Sequence, residues 1–158
     1  MADRPSFDRL YLDHAINLAR RSECQRLQVG CVIASLDGRY IFGHGYNGGP
    51  AGLEHQCTGE VGACGCLHAE DNAVTNCVAP RSEAKVVLVT VAPCVACATR
   101  LINLGGVRRV LWEADYRIMA GAALLARACI EARNWRDNGG PVIDALGIEC
   151  EWCARGSQ

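Results

Sequence analysis

The sequence predicts an α/β domain, with helices covering both faces of a partly parallel sheet. Segments of strand and helix character alternate from residue 67 onward, a pattern typical of parallel strands joined through helices. An Asp37-Gly38 turn joins two earlier strand-like segments, which predicts a hairpin. The 158 residues suit one compact domain with its own core, and we find no repeat or linker. We therefore expect a single domain over residues 1–158.

The first half of the chain is predicted to form a helix, a hairpin and a long loop. Apolar residues recur at helical spacing over residues 6–21, and Ser6 is a suitable N-cap. Strands are expected at residues 28–34 and 40–45, on either side of the turn at residues 36–39. Residues 46–66 are too rich in Gly and Cys for regular structure.

The second half of the chain is predicted to alternate between helix and strand. Helices are expected at residues 67–77, 96–104 and 119–132, and the second of them stops at Gly105-Gly106. Strands are expected at residues 85–91, 107–112 and 148–152, and the first is almost entirely β-branched, as buried strands often are.

The charge balance argues against a nucleic-acid partner. The formal net charge is −1, with 16 Lys and Arg against 17 Asp and Glu, and there is no long basic run. Proteins that bind duplexes or tRNA normally carry a basic face. The composition suits a small ligand whose phosphate is held by one or two placed cations.

The N-terminal residues and the cysteine content predict a cytoplasmic protein that does not enter a membrane. Residues 1–5 are polar and charged, unlike a signal peptide, and no window approaches the ~20 apolar residues of a membrane span. Eleven cysteines in a chain of this size, within a reducing compartment, indicate thiolate metal ligands together with some free buried thiols.

Two short motifs at the start of predicted helices indicate a catalytic metal centre. They are His68-Ala69-Glu70 and Pro93-Cys94-Val95-Ala96-Cys97. Cysteines three residues apart on a first turn point the same way, and a helix N-terminus stabilises thiolates. One histidine and two thiolates supply three zinc ligands and leave a fourth position for water, as in catalytic zinc sites. Glu70 would reach that water without binding the metal.

Each motif alone has a plainer explanation. Cys94 and Cys97 could form a structural or redox pair, and His68 could be a hydrogen-bonded core residue. In this order, and at helix starts that follow strands, the motifs match the His-x-Glu and Pro-Cys-x-x-Cys signature of zinc-dependent nucleobase deaminases. We therefore predict His68, Cys94 and Cys97 as zinc ligands and Glu70 as the proton shuttle.

The chain around these motifs closely resembles the deoxycytidylate (dCMP) deaminase family of the cytidine deaminase superfamily. The resemblance covers roughly residues 10–118 and rests on Cys24-x-Arg26-x-x-Val29-Gly30, Gly45-Tyr46-Asn47-Gly48, Pro50-x-Gly52, Cys57 and His68-Ala69-Glu70-x-Asn72-Ala73. It implies a three-layer α/β/α fold of the cytidine-deaminase type, with about five strands in a central mixed sheet and helices on both faces.

The resemblance implies hydrolytic deamination of dCMP to dUMP, which supplies thymidylate synthesis. A zinc-bound hydroxide would attack C4 of cytosine, and Glu70 would carry a proton to N3 and then to the leaving ammonia. The backbone carbonyl of Ala92 would accept from the 4-amino group, and Ala69 would also contact the substrate. Asn47 is expected at the deoxyribose, although an Asn in a Gly-rich loop often only accommodates a left-handed turn.

Two more residues are candidates for contact with the nucleotide. Arg26 stands where the family has its Cys-x-Arg and is expected to meet the phosphate, whereas the plainer interpretation is a solvated surface Arg. Tyr116 resembles an aromatic residue that the family places near the base or sugar. An ordinary half-buried Tyr would account for the same position.

The resemblance also implies a homo-oligomer, a hexamer or a dimer, that is activated by dCTP and inhibited by dTTP. Tyr46, Gly48 and Pro50 are the allosteric candidates, because the bare backbone amides of this glycine-rich loop can approach phosphates closely. A plain glycine-rich turn explains the same residues.

Cys24, Cys57, Cys64 and Cys66 are candidates for a second, structural zinc. Four thiolates can close a tetrahedral site and order a loop that has few apolar residues. Several dCMP deaminases hold a second zinc near this place, where cysteines like Cys24 and Cys57 contribute, and His55 is the reserve ligand here. The alternative is free buried thiols, which we expect of the remaining cysteines: Cys31, Cys77, Cys129, Cys150 and Cys153.

Three other functions stay open. A tRNA- or DNA-editing deaminase shares the zinc motif but needs basic grooves and aromatic stacking platforms, which a net charge of −1 and 6% aromatic residues disfavour. A deaminase of another free base, nucleoside or 5-modified nucleotide shares it too, and only the loop at residues 46–48 and Arg26 favour a nucleotide. A non-catalytic zinc protein would have no need of Glu70.

Overall fold

The computed structural model describes residues 4–137, which form a five-stranded mixed sheet with helices on both faces. The predicted α/β class and three-layer arrangement are confirmed. The elements in chain order are α1 (Phe7–Ala19), β1 (Gly30–Ser35), β2 (Ile41–Tyr46), α2 (Ala69–Thr75), β3 (Lys85–Val91), α3 (Val95–Leu104), β4 (Val107–Ala114), α4 (Ala120–Arg127) and β5 (Glu131–Asn134). Within the described range, no helix combines the length and the apolar character that crossing a membrane requires.

The sheet has the strand order β2-β1-β3-β4-β5. Strand β1 is antiparallel to both of its neighbours, whereas β3, β4 and β5 run parallel. The predicted hairpin is confirmed: Gly38 adopts φ +77° in the turn between β1 and β2, a conformation that glycine adopts without strain. The crossover helices α3 and α4 join the parallel strands, as the alternating pattern requires.

Two separate apolar clusters hold the layers together. On one face of the sheet, Leu12 and Ala15 of α1 pack against strand residues such as Val32 and Leu88, and all four are fully buried. On the other face, the buried residues of α2, α3 and α4 share a larger cluster with the opposite sides of the strands: Ala69, Ala73, Ala98, Leu101, Ala122, Leu125, Val87, Val89 and Val110. The alternation of side chains along each strand therefore supplies both cores.

Helix α2 lies unusually close to β2 because two residues of that strand have no side chain. A Cβ atom at Gly45 would lie 2.6 Å from the backbone nitrogen of Ala73 and 2.7 Å from the carbonyl oxygen of Ala69. A Cβ atom at Gly43 would lie 2.7 Å from the carbonyl oxygen of Ala73. This close approach places the N-terminus of α2 beside the end of β2.

One edge of the sheet collects the segments predicted to carry function. The carboxyl ends of β3 and β4 meet there because these strands are parallel. The start of β1 and the end of β2 reach the same edge because β1 is antiparallel to both neighbours. The residues that follow β3, β4 and β2, and those that precede β1, are thereby brought together.

The end of the described chain differs from the prediction. The helix expected at residues 119–132 ends at Arg127, and Glu131–Asn134 forms β5, parallel to β4. Cys129 adopts φ +59°, which a helix cannot continue through, and Ile130 and Ala132 become buried in the core. Tertiary burial thus outweighs the helical propensity of an alanine-rich segment. The strand expected at residues 148–152 lies outside the described residues.

The expectation of free thiols outside the two metal-ligand groups holds only in part. Cys31 is free and buried, as predicted, whereas Cys77 is free but only half-buried. Cys129 is disulfide-bonded, so the prediction of a free thiol there is wrong. Cys150 and Cys153 lie outside the described residues.

Candidate active site

The three predicted ligands of the first metal lie together at the sheet edge. His68 is the N-cap residue of α2, Cys94 is the N-cap residue of α3, and Cys97 belongs to the first turn of α3. Their donor atoms lie within 4.8 Å of one another, with His68 Nδ1 at 3.1 Å from Cys97 Sγ and 3.6 Å from Cys94 Sγ. A tetrahedral zinc separates a nitrogen and a sulfur ligand by about 3.5 Å, so the donor set fits zinc in composition and spacing.

The pKa values of the two cysteine ligands are shifted in opposite directions. Hydrogen bonds from Cys97 and from His68 lower the pKa of the Cys94 thiol to about 3. The pKa of Cys97 is raised by Cys94 first and by burial second, and the pKa of His68 is raised by its bond to Cys94. Cys94 is therefore the cysteine that is held as a thiolate, the form that binds a metal cation.

Glu70 is a buried carboxyl group beside these ligands. Its side chain is on the first turn of α2, and only 4% of the residue is exposed. Burial raises the pKa of Glu70 to about 7, against hydrogen bonds from its own backbone N–H and from Cys97, which act to lower the pKa. A carboxyl group with such a pKa can take up and release a proton near neutral pH.

One cavity contains Glu70 together with every residue predicted to touch the substrate. Its wall includes two of the three metal ligands, His68 and Cys94. The predicted substrate-binding residues that line it are Arg26, Asn47, Ala69, Ala92 and Tyr116. Three apolar residues that the sequence reasoning missed also line it: Leu27, Val29 and Val91. Their apolar character resembled ordinary strand residues, so no local pattern distinguished them.

Arg26 and Tyr116 form one unit in the cavity wall. Arg26 Nη2 donates to the Tyr116 hydroxyl at 3.2 Å, across 90 residues of sequence. This hydrogen bond raises the pKa of the guanidinium, and the thiols of Cys64 and Cys24 act in the same direction. Arg26 is half-buried, so the plainer interpretation as a solvated surface residue does not describe its position.

Asn47 has a structural role in the wall that the sequence did not indicate. Its Oδ1 accepts from the backbone N–H of Val29 at 2.7 Å, and its Nδ2 donates to the carbonyl oxygen of Leu27 at 2.6 Å. Asn47 therefore holds the segment before β1 against the end of β2. One amide proton and one lone pair of Asn47 remain for a ligand.

The four cysteines predicted to bind a second metal also lie together. All four sulfur atoms, of Cys24, Cys57, Cys64 and Cys66, lie within 4.8 Å of one another. The Cys24 and Cys57 sulfurs are 3.7 Å apart, and sulfur ligands of a tetrahedral zinc are separated by about 3.8 Å. These donors fit zinc. His55 stands outside the group, with Nε2 at 3.1 Å from Cys66 Sγ.

Backbone hydrogen bonds prepare part of this second group for a cation. Burial acts to raise the pKa of Cys24, but the backbone N–H groups of Leu27 and Arg26 outweigh it and lower the pKa to about 7. The backbone N–H of Gln25 is the main cause that lowers the pKa of Cys57. Burial raises the pKa of Cys66. Cys24, Cys64 and Cys66 also line the cavity of Glu70, so the two metal-ligand groups border the same space.

A second cleft is lined by the sequence neighbours of Asn47. The three predicted allosteric residues, Tyr46, Gly48 and Pro50, all line it. Arg21 and two histidines border the same cleft, and the Arg21 guanidinium lies 5.8 Å from the centroid of the Tyr46 ring. The cleft thus combines the Tyr46 ring and the Arg21 guanidinium with glycine backbone, and the carboxyl group of Glu23 also lines it.

Comparisons with known proteins agree in pointing to one family. The sequence profile of the family described as "Cytidine and deoxycytidylate deaminase zinc-binding region" matches residues 5–114. The deoxycytidylate deaminase of Mycobacterium phage D29 is 35% identical over 128 residues, which cover 71% of this chain and 98% of the phage protein. The Schizosaccharomyces pombe deoxycytidylate deaminase is 30% identical over 147 residues, and this chain spans 45% of its length.

A solved structure shows the same fold over most of both chains. The dCMP deaminase of cyanophage S-TIM5, in complex with dCMP and dUMP, superimposes with a TM-score of 0.68 at 28% identity. The match covers 83% of this chain and 98% of the phage chain.

Proposed function

The chain belongs to the cytidine and deoxycytidylate deaminase family, and from this premise we propose that it deaminates dCMP hydrolytically to dUMP. One observation carries the proposal: the donor atoms of His68, Cys94 and Cys97 converge beside a buried Glu70, in a cavity that also holds Arg26. A metal, a proton carrier and a cation for a phosphate are thereby present in one place.

The residues of the site divide the work of the reaction. Zinc held by His68, Cys94 and Cys97 would lower the pKa of a bound water, so that hydroxide is available to attack C4 of cytosine at neutral pH. Glu70 takes a proton from that water and delivers it to N3 of cytosine, and it then carries a second proton, from the new hydroxyl group on C4, to the departing ammonia. The carbonyl oxygen of Ala92, in the cavity wall, accepts from the 4-amino group and orients the base, which lies against Ala69.

The remaining residues of the cavity hold the rest of the nucleotide. Arg26 binds the 5′-phosphate, because it is the one Arg or Lys among the described residues that line the cavity. Its partner Tyr116 keeps the guanidinium in place and lies beside the base or sugar. Asn47 forms a hydrogen bond to the deoxyribose through its remaining amide proton or lone pair. These assignments favour a nucleotide over a free base or a nucleoside.

The experiment that tests this function compares substrates in the wild type and in Arg26→Gln. We expect loss of cytosine absorbance with dCMP, and much slower loss with deoxycytidine, cytidine, cytosine and single-stranded DNA. Arg26→Gln should raise the KM for dCMP about 10- to 100-fold, since a charge-assisted hydrogen bond contributes about 1.5–3 kcal/mol, and it should change deoxycytidine turnover little. Arg39→Gln, at a guanidinium that is 76% exposed, is the matched control. An equal loss on dCMP and deoxycytidine would show that Arg26 does not bind phosphate.

We further propose that Cys24, Cys57, Cys64 and Cys66 bind a structural zinc. Four thiol donors with no open position make a closed site, in contrast to the three ligands around Glu70. This zinc would order the cavity wall next to Arg26, which is only two residues from Cys24. His55 then serves as a hydrogen-bond partner of Cys66 and not as a ligand.

We propose that the cleft beside Tyr46 binds nucleoside triphosphate effectors, dCTP as activator and dTTP as inhibitor, in a homo-oligomer. Arg21 and the bare backbone around Gly48 suit phosphates, and the Tyr46 ring suits a base.

Exposed apolar residues adjoin the metal ligands in sequence: Leu67 precedes His68, and Val95 follows Cys94. Such side chains favour association with a second copy.

Saturation curves measured together with the molar mass test this regulation. We expect sigmoidal dependence of the rate on dCMP, a shift to hyperbolic with dCTP, and a higher half-saturation concentration with dTTP. Light scattering should give the mass of a dimer or a hexamer. A hyperbolic curve that neither nucleotide changes would contradict the effector site, and a monomeric mass would contradict the oligomer.

We also propose a cytoplasmic location. Both predicted metal-ligand groups consist of free thiols apart from His68, and such thiols persist in a reducing compartment, although Cys129 is disulfide-bonded. Fractionation of the cells that make the protein would test this, and recovery from an oxidising compartment would contradict it.

A further inference from the structure

An ion pair joins the two helices that carry the ligands of the catalytic metal. Arg100 Nη1 of α3 contacts Asp71 Oδ1 of α2. The other carboxylate oxygen, Oδ2, accepts the backbone N–H of His68 at 3.4 Å. Asp71 lies three residues after His68, and Arg100 lies three residues after Cys97. Each partner is therefore about one helical turn beyond a metal ligand of its own helix.

The burial of its carboxylate distinguishes this pair from the exposed ion pair of α1. The Asp71 side chain is 14% exposed and the Arg100 side chain is 53% exposed, whereas the Arg9 and Asp13 side chains are 41% and 45% exposed. Asp71 is also fixed at both oxygens, once by its own helix and once by α3. Partial burial and a second hydrogen bond make such a pair stronger than one that is freely solvated.

Helix α2 needs support from outside itself. It has seven residues, and a helix of this length is not stable alone in water. Its packing against the rest of the core uses small side chains, Ala69 and Ala73. The hydrogen bonds from Asn72 Nδ2 to the Tyr46 carbonyl oxygen, at 2.8 Å, and from Asn76 Nδ2 to the His44 carbonyl oxygen, at 3.1 Å, reach β2 and not α3. Yet α2 must hold His68 and Glu70 at a fixed distance from the cysteines of α3, or the three ligands no longer suit one metal ion.

We propose that Asp71 and Arg100 are positioning residues, which hold the N-termini of α2 and α3 at the separation that the catalytic zinc requires. Asp71 fixes the backbone of His68, and Arg100 ties that backbone to the helix of Cys94 and Cys97. The pair preorganises the ligands and slows their separation once the metal is bound. This inference rests on the zinc ligands named above and not on the identity of the substrate.

Replacing Arg100 by Gln distinguishes a role in positioning the metal ligands from a direct electrostatic effect on the metal ion. A nearby positive charge repels a metal cation, so a purely electrostatic effect of Arg100→Gln would be tighter zinc binding. Loss of positioning would weaken zinc binding, since residues that orient metal ligands contribute strongly to affinity. The two explanations therefore predict opposite signs for the same substitution.

The experiment measures zinc release from the fully loaded protein into a chromogenic chelator, together with the loss of activity over the same time. The phase of release that is absent from Cys97→Ser reports the catalytic zinc, and this assignment needs no substrate. We expect this phase to be about 3- to 10-fold faster in Arg100→Gln and in Asp71→Asn, and close to wild type in Arg100→Lys, which keeps the charge. KM should stay unchanged.

Arg9→Gln, which removes the ion pair of α1 far from the site, serves as control and should release zinc at the wild-type rate. Circular dichroism confirms that each variant is folded, and Asp71→Asn keeps the test decisive if Arg100→Gln is not. Release from Arg100→Gln that is unchanged or slower would overturn the proposal. Zinc release needs no substrate, so this outcome is distinguishable from failure of the proposed deaminase activity.

Discussion

Replacing Glu70 by Gln is expected to lower kcat about 10²- to 10⁴-fold while both metal sites stay filled. Glu70 is not among the donor atoms that converge on the metal, so the substitution leaves the ligands intact. It removes the one buried carboxyl group of the cavity whose pKa, raised to about 7 by burial, suits proton transfer at neutral pH. Positioned acids and bases contribute rate factors of this size. Steady-state kinetics with dCMP and zinc analysis of the same sample make the measurement.

The fold of the Glu70→Gln protein should be retained. Gln has the shape of Glu, and its neutral amide replaces a group that is 4% exposed and costly to ionise there. The thermal unfolding midpoint should therefore not fall. Glu54→Gln, at an exposed position in the loop before α2, is the matched control and should keep wild-type kcat. Activity that persists in Glu70→Gln would refute the proton-transfer role.

The parts of the fold with a strong local pattern could be predicted from the sequence. Strand β3 occurs at the predicted residues, Lys85–Val91, because an almost continuous β-branched run has few alternatives in a buried position. Helix α1 begins after Ser6, whose side chain accepts the backbone N–H of Arg9. Strand β5 was missed because its residues gain stability from partners far along the chain, which no local pattern records.

The site could be predicted as far as its chemistry depends on residue type and spacing. Closely spaced histidine and cysteine residues most often bind a metal. The donor atoms of both predicted metal-ligand groups do converge in the fold. The finding that the two metal-ligand groups border one cavity could not be predicted, because it depends on which segments meet at one sheet edge. The same holds for the double hydrogen bond of Asn47 and for the pair of Asp71 with Arg100, which join residues on different elements.

Single cysteine substitutions are expected to distinguish the two metal sites. Cys97→Ser should remove the catalytic zinc, since a buried serine hydroxyl is a poor replacement for a thiolate, and kcat should fall below detection. Cys57→Ser should remove the zinc of the other group. Each protein should hold one zinc where the wild type holds two, as measured by atomic emission on samples freed of loosely bound metal.

The two variants should differ in what the loss of metal does to the molecule. Cys97→Ser should unfold at nearly the wild-type temperature, because its elements are held by the two apolar clusters. Cys57→Ser should unfold earlier, and its KM should rise, because the metal would order the wall that carries Arg26. Cys77→Ser, at a free thiol outside both groups, is the control and should keep both metals. A wild-type protein that holds only one zinc when fully loaded would refute the second site. Full zinc content in Cys97→Ser would refute the catalytic ligand set. It is the result expected if Cys94 and Cys97 are a structural or redox pair that binds no metal.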